Sequence, residues 1–294
     1  MNVPLAKQRT ARERPFYRRA AISLKLLGLV YFSSLGYWMY SENDWMFPGA
    51  GIESEGSSLP EVAMEAVDFT SADGTRLHGS LLVHPSSTTA LLFCHGNGEN
   101  MAALTEEAKL LSQYLDSSVL LFDYRGFGQS RGKPTEKAIL ADAEAASAWL
   151  AQRMQTSQDQ LLLYGRSLGG GVAIHLASRH QARGLILDRT FSSAVELAAR
   201  RFWWLPVRLV MRNPFLSIVK IRNYRGPLFQ VHGDEDEIIP LWSAENLFAA
   251  CPSNHKEFHL VEGWKHQAAF PEQSYLRMQQ WWSRLKAGEL QPAN

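Results

Sequence analysis

The sequence predicts an α/β fold, a mostly parallel central sheet with helices on both faces. From Glu65 onward, short runs rich in Leu, Val, Ile and Phe alternate with amphipathic stretches at helical spacing. The runs are apolar throughout, as strands buried on both faces require. Between one such run and one such helix lies Gly165-Arg166-Ser167-Leu168-Gly169, the pattern of a sharp strand-to-helix turn that presents a serine hydroxyl. The chain has 294 residues, and 30 Lys and Arg against 29 Asp and Glu leave a formal charge of +1. That composition argues against disorder and gives no electrostatic case for nucleic acid as a partner.

The first element is N-terminal. Lys7, Arg9, Arg12, Arg14, Arg18 and Arg19, opposed only by Glu13, precede a largely apolar stretch at residues 20–40. At about 1.5 Å per residue this stretch makes a helix ~31 Å long, close to the thickness of a bilayer's hydrocarbon core. Lys25 lies near enough to the basic end to snorkel, and Tyr37, Trp38 and Tyr40 suit the opposite interface. The pattern predicts a basic cytoplasmic tail at 1–19, a transmembrane anchor at 20–40 and the rest of the chain across the membrane, in a periplasm or lumen. A cleaved signal peptide and an interfacial helix are the rival readings. The apolar run is long for a signal peptide's core, and no Ala-x-Ala-like site follows it. Residues 41–60, rich in Gly, Ser, Pro and acids, read as a linker.

Residues 61–288 read as the folded domain. Ala66 to Ser71 and Arg76 to Val83 flank Asp73-Gly74, a hairpin signal. Strands follow at Thr89 to Cys94, Ser118 to Asp123, Leu161 to Tyr164, Gly184 to Leu187, Pro227 to Val231 and Glu257 to Val261. Helical spacing marks Met101 to Leu115, Glu136 to Met154, Leu168 to Arg179, Leu241 to Ala250 and Glu272 to Leu285. The long insertion at 192–224 contains Phe202-Trp203-Trp204-Leu205-Pro206 and reads as a short helical cap over the site. Cys94 and Cys251 form no disulfide framework. No Cys, His and carboxylate cluster has metal-ligand spacing, and Gly165 to Gly171 lacks the spacing of a dinucleotide loop, so no metal and no cofactor are expected.

In an open α/β sheet, chemistry sits at the carboxyl ends of the strands. Ser167 follows the central strand, and the helix beginning at Leu168 directs its N–H groups and dipole toward it. A serine needs a base. His266, in Gly263-Trp264-Lys265-His266, is the one histidine among nine in the loop after the last strand. His255 and His259 belong to that strand or its approach, and His95 and His232 end strands and bond loop backbone. A carboxylate in Asp234-Glu235-Asp236-Glu237 orients the imidazole. Asp236 is the choice, Asp234 the near rival and Asp188 the distant one. For an oxyanion, the backbone N–H of Leu168 is one donor and that of Asn97, in His95-Gly96-Asn97-Gly98, the other, with Gly98 as fallback. Asn100 reads as a cap for the next helix.

Four blocks carry a resemblance: His95-Gly96-Asn97-Gly98-Glu99-Asn100, Phe122-Asp123-Tyr124-Arg125-Gly126-Phe127-Gly128-Gln129-Ser130, Tyr164-Gly165-Arg166-Ser167-Leu168-Gly169-Gly170, and the run His232 to Pro240. With these the chain resembles the α/β-hydrolases, and over residues 60–285 the membrane-anchored bud-emergence-type serine hydrolases. The order Ser, Asp, His along the chain is the one that arrangement demands. The block Asp123 to Ser130 is a hallmark of the family and, physically, a tight glycine turn with a structural task. Two departures stand out: the family often reads His-Gly-Asn-Ala-Gly-Asn where Gly98-Glu99 stand here, and Gly-x-Gly-His where Trp264-Lys265 precede His266.

The resemblance implies a serine hydrolase acting on a carboxylic ester or thioester, a small-molecule acyl substrate. Trp203, Trp204 and Trp264 are the expected substrate-binding aromatics. An aromatic cap beside a membrane suggests a lipid-like acyl chain, while the simpler reading makes those aromatics the cap's own core. A peptidase or amidase on the same scaffold, an acyltransferase using the same serine, and a membrane-tethered interaction protein without catalysis are the competing functions.

Overall fold

In the computed structural model, residues 14–52, 64–99 and 101–289 are described. The chain divides between Glu42 and Asn43 into two compact units. The first holds most of α1 (Arg14–Met46), which from Phe16 is long and apolar enough to cross a membrane. Leu24, Leu27, Leu29 and Phe32 along it are exposed. The helix runs past Tyr40, so residues 41–46, read from sequence as linker, are helical. The helix breakers Pro48 and Gly49 come only beyond that point, so nothing in the sequence interrupts the helix before Met46. The basic residues Lys7, Arg9 and Arg12, linker residues 53–60 and the capping Asn100 lie outside the described residues.

The second unit is built on one eight-stranded sheet. Its strands are β1 (Glu65–Thr70), β2 (Arg76–Leu82), β3 (Ala90–Cys94), β4 (Ser118–Phe122), β5 (Leu162–Arg166), β6 (Gly184–Asp188), β7 (Leu228–Gly233) and β8 (Lys256–Val261), in the order β1-β2-β4-β3-β5-β6-β7-β8. β1, β2 and β4 pair antiparallel, and from β4 to β8 every pairing is parallel. β3 to β6 are buried at every position, which is why their sequences show no alternation.

Alternate side chains of these strands feed two cores. On one face Leu92, Leu120 and Leu163 join Ile139 of α3 (Glu136–Arg153) and Val172 of α4 (Leu168–His180). On the other, Leu91, Leu121 and Leu162 join Leu111 of α2 (Thr105–Leu115) and Met278 and Trp281 of α9 (Glu272–Lys286). The predicted helix from Met101 opens instead as a 3₁₀ turn, Met101–Leu104, before α2. The Met101 amide donates to Asp123 Oδ1 (3.1 Å), which ties down its first residue outside α-helical register. Residues 192–224 contain three short helices, α5 (Ala194–Arg201), α6 (Val207–Val210) and α7 (Ser217–Lys220), and α8 (Leu241–Ala250) follows β7.

The chain leaves β3 for β4 on one side, and β5 and β6 build out on the other. The carboxyl ends of β3 and β5 therefore flank the crevice where open α/β sheets bind ligands. The turn after β4 braces this region. Gly126 and Gly128 have φ of 80° and 46°, and a Cβ on Gly128 would fall onto the Asp123 carboxylate. Just before them Arg125 donates to the fully buried Asp142 through Nη2 (2.6 Å) and Nε (2.9 Å), and to Asp73 through Nη1 (2.7 Å). Replacing Arg125 leaves the Asp142 carboxylate buried without its cation. Arg125→Leu should lower stability by about 3–5 kcal/mol, read from the urea midpoint at neutral pH. A loss below roughly 1 kcal/mol would show that this turn does not brace the domain.

Candidate active site

β5 ends at Arg166 and α4 begins at Leu168, so Ser167 stands alone at the junction, with φ 50° and ψ −116°. Its amide donates to the Asp188 carbonyl (2.9 Å), continuing the β5–β6 ladder by one residue. Its carbonyl accepts from the Gly170 amide (3.0 Å) and from Thr190 Oγ1 (2.7 Å). Small neighbours make so sharp a turn possible. A Cβ on Gly165 would lie 2.5 Å from the Gly169 carbonyl oxygen, and one on Gly169 would meet the Cys94 carbonyl. Strand and helix thus approach more closely than any side chain allows.

His266 reaches this serine from the loop after β8. Its Nε2 lies 3.2 Å from Ser167 Oγ, and its Nδ1 lies 2.7 Å from Asp236 Oδ2. With the proton on Nδ1 donated to Asp236, Nε2 is left to accept from the serine hydroxyl. Asp236 is fixed in turn, because its Oδ1 accepts the amides of Ile238 (3.0 Å) and Ile239 (2.7 Å). Behind it His232 donates from Nε2 to the Ile239 carbonyl (2.8 Å), and burial lowers its pKa, which keeps it neutral. The rival carboxylates are engaged elsewhere. Asp234 accepts the Gly263 amide (2.6 Å), and Asp188 faces Arg166, Arg189 and Tyr164.

The N–H groups of Leu168, first residue of α4, and of Asn97, in the loop after β3, have no acceptor among the described residues. The Asn97 side chain holds that loop by donating to the Met46 carbonyl (2.5 Å), and Glu99 Oε2 accepts the Gly96 amide (2.8 Å). Gly98 packs against Gly49, where an added Cβ would come within 2.9 Å of the Gly98 nitrogen.

Residues 89–210 match the sequence profile described as alpha/beta hydrolase fold. An uncharacterized protein of Mycobacterium tuberculosis is 34% identical over 249 residues, 84% of this chain and 86% of that one. The chain belongs to the α/β-hydrolase family. Protein bem46 of Schizosaccharomyces pombe is 28% identical to this α/β-hydrolase over 242 residues, 77% of this chain and 80% of that one. Among solved structures, an esterase of Pyrococcus furiosus superposes with a TM-score of 0.67 at 21% identity, covering 80% of this chain and 98% of that one, a likeness of fold.

A pocket of about 640 Å³ in the α/β-hydrolase is lined by Ser167, His266, Asn97 and Leu168. Its apolar lining includes Trp45, Met46, Phe191 and Phe202. None of the three tryptophans expected to bind substrate lines it. Trp203 is 81% exposed and Trp204 44% exposed. Trp264 is buried within the base loop, its Nε1 donating to the Ala269 carbonyl (2.9 Å) and its ring stacked edge-on to Phe270. Phe202 is the one aromatic of the cap run that reaches the pocket. Trp45 and Met46 fall within the stretch read as linker, although the apolar run Trp45-Met46-Phe47 is a signal against solvent exposure.

Sequence reasoning also missed the charges beneath the site. Arg166 bridges Asp188 (2.7 Å), Glu99 (3.2 Å) and Glu107. Burial alone would raise the Asp188 carboxyl, but the Arg189 and Arg166 guanidiniums outweigh it and hold it well below the usual range. Burial pushes Glu107 up, against the pull of Arg166. Arg189 has a left-handed backbone (φ 44°) and spans from Asp188 to the loop bearing His266. Its Nε donates to Asp188 Oδ1 (2.8 Å), while Nη1 donates to the carbonyls of His266 (2.6 Å) and Ala268 (2.8 Å), with the guanidinium 4.0 Å above the Trp264 ring. Arg189 is thus a positioning residue for His266. Arg189→Met should speed amide exchange across residues 264–269 by at least about tenfold, since a hydrogen bond from a charged donor contributes about 1.5–3 kcal/mol. Protection in β7 and β8, measured by mass spectrometry in the same samples, should change far less.

Proposed function

We propose that this α/β-hydrolase is a serine esterase, cleaving a carboxylic ester or thioester through an acyl-enzyme on Ser167. The observation that carries the reading is the continuous chain from Ser167 Oγ to His266 Nε2 (3.2 Å) and from Nδ1 to Asp236 Oδ2 (2.7 Å), set in an apolar-walled pocket. The pocket volume falls within the roughly 300–1,000 Å³ typical of small-molecule sites.

In the first half-reaction Ser167 Oγ attacks the acyl carbonyl carbon as its proton passes to His266 Nε2. The carbonyl oxygen takes up the displaced electron pair, and the N–H groups of Asn97 and Leu168 hold the oxyanion, aided by the positive end of α4. Asp236 stabilises the imidazolium. The tetrahedral adduct collapses, the bond to the leaving alcohol or thiol breaks, and His266 supplies its proton. Water then repeats the sequence on the acyl-enzyme, releasing the acid and restoring Ser167. The segment 192–224 serves as the cap. Within the same proposal, α1 anchors the protein with the end bearing Arg14, Arg18 and Arg19 in the cytoplasm and the domain on the far side.

The full chain in detergent micelles should label with a fluorophosphonate probe, and Ser167→Ala and His266→Ala should each abolish that label. Asp236→Asn should lower kcat on p-nitrophenyl esters by up to about 10⁴-fold, because the amide favours the wrong imidazole tautomer. A folded wild-type protein that neither labels nor turns over any ester of a chain-length series would overturn the assignment.

A further inference from the structure

Between Glu196 and Asp234 the chain carries no acidic residue but seven Lys and Arg, in a protein whose formal charge is only +1. This stretch is therefore strongly basic, as the N-terminal segment is, and its part at residues 200–212 has an unusual surface. Leu205 and Val207 point inward and are buried, whereas Trp203 is 81% and Leu209 86% exposed, beside exposed Arg200, Arg201, Arg208 and Arg212. Glu196, the one acid at hand, pairs with Arg208 (2.7 Å). Large apolar side chains so fully exposed, interleaved with arginines, match the chemistry of a lipid headgroup region. Indole rings settle at that depth, and guanidiniums meet phosphates there.

The position of this segment in the chain points the same way. Trp45 packs against Phe202 (ring centroids 6.2 Å apart), and Asn213 Nδ2 donates to Asn43 Oδ1 (3.1 Å). Residues 43–46 follow at once on the apolar stretch that ends at Tyr40. Five residues, even fully extended, reach at most roughly 17 Å. When residues 20–40 are in a bilayer, the segment that residues 43–46 touch cannot be far from the surface.

We propose that residues 200–212 form a docking face for a bilayer surface carrying anionic headgroups, with Trp203 and Leu209 inserted among the lipids and the arginines on the phosphates. Arg201 and Phe202, which line the pocket, are then held at the lipid interface. The inference stands whether or not Ser167 is a nucleophile.

The test uses the full chain in nanodiscs of phosphatidylcholine alone or mixed with phosphatidylglycerol. Cys94 and Cys251 are buried, so Leu209→Cys takes a polarity-sensitive fluorophore selectively, and Glu106→Cys on α2 provides the control. A nitroxide-bearing lipid should quench the label at 209 at least about twofold more than at 106 in anionic discs, with high salt closing the gap. For the unlabelled wild type, tryptic cleavage at Arg208 and Arg212 should be slower in anionic than in neutral discs. Equal quenching at the two positions with equal cleavage in both discs would overturn the proposal. So would a protection that grows with protein concentration irrespective of lipid, which would make a second copy of the chain the occupant.

Discussion

Holding a serine at φ 50° and ψ −116° costs about 1–3 kcal/mol of backbone strain, and the surrounding structure has to impose it. The ladder of β5 and β6 fixes the Ser167 amide, Thr190 and Gly170 hold its carbonyl, and the helix can close on the strand because Gly169 has no Cβ to meet the Cys94 carbonyl. Three strands are thereby locked around one residue. The hydroxyl is aimed by backbone geometry rather than by its own rotamer preference. The orientation of α4, the direction of its dipole and the close approach of the β3 loop all follow from this turn.

A second constraint lies under the first. Asp188 is completely buried and would be intolerable as an isolated anion, but Arg166 and Arg189 approach it from two sides. Arg166 belongs to the serine turn, and Arg189 reaches the loop bearing His266. One buried carboxylate therefore connects the turn of Ser167 and the loop of His266 through its two cations. The distance between Ser167 and His266 is set partly by charges that never face the pocket.

Much of this architecture could be read from the chain, for reasons that differ by element. Strands buried on both faces announce themselves as apolar runs, so β3 to β6 were found to within a residue or two. Ser167, His266 and Asp236 could be nominated because strand ends are the only places where this topology assembles chemistry, and the structure brings these three side chains together. The aromatics resisted. Trp203, Trp204 and Trp264 share a composition with pocket walls, but composition does not reveal which side chains of a turn or loop reach the cavity, and of the run 202–204 only Phe202 does so. The apolar run Trp45-Met46-Phe47 signals burial but not what covers it, since the place of Trp45 and Met46 depends on contacts with residues fifty or more positions away. The Arg189 bridge was invisible for the same reason: its partners lie some seventy-seven residues on.

The hydrogen bond from Asn97 to the Met46 carbonyl gives the opening residues of the domain a mechanical part in the site. Trp45 and Met46 form one wall, and Met46 also anchors the loop of Asn97, which lines the same pocket as the serine. Anyone trimming the apolar helix away to simplify purification would cut close to this wall. A chain begun after Met46 would have a wider cleft and a loosened Asn97 loop, so its preferences among substrates would belong to the shortened molecule rather than to the natural one. The safe place to cut is no later than Asn43, where the side chain still bonds Asn213 and keeps the wall attached to the cap.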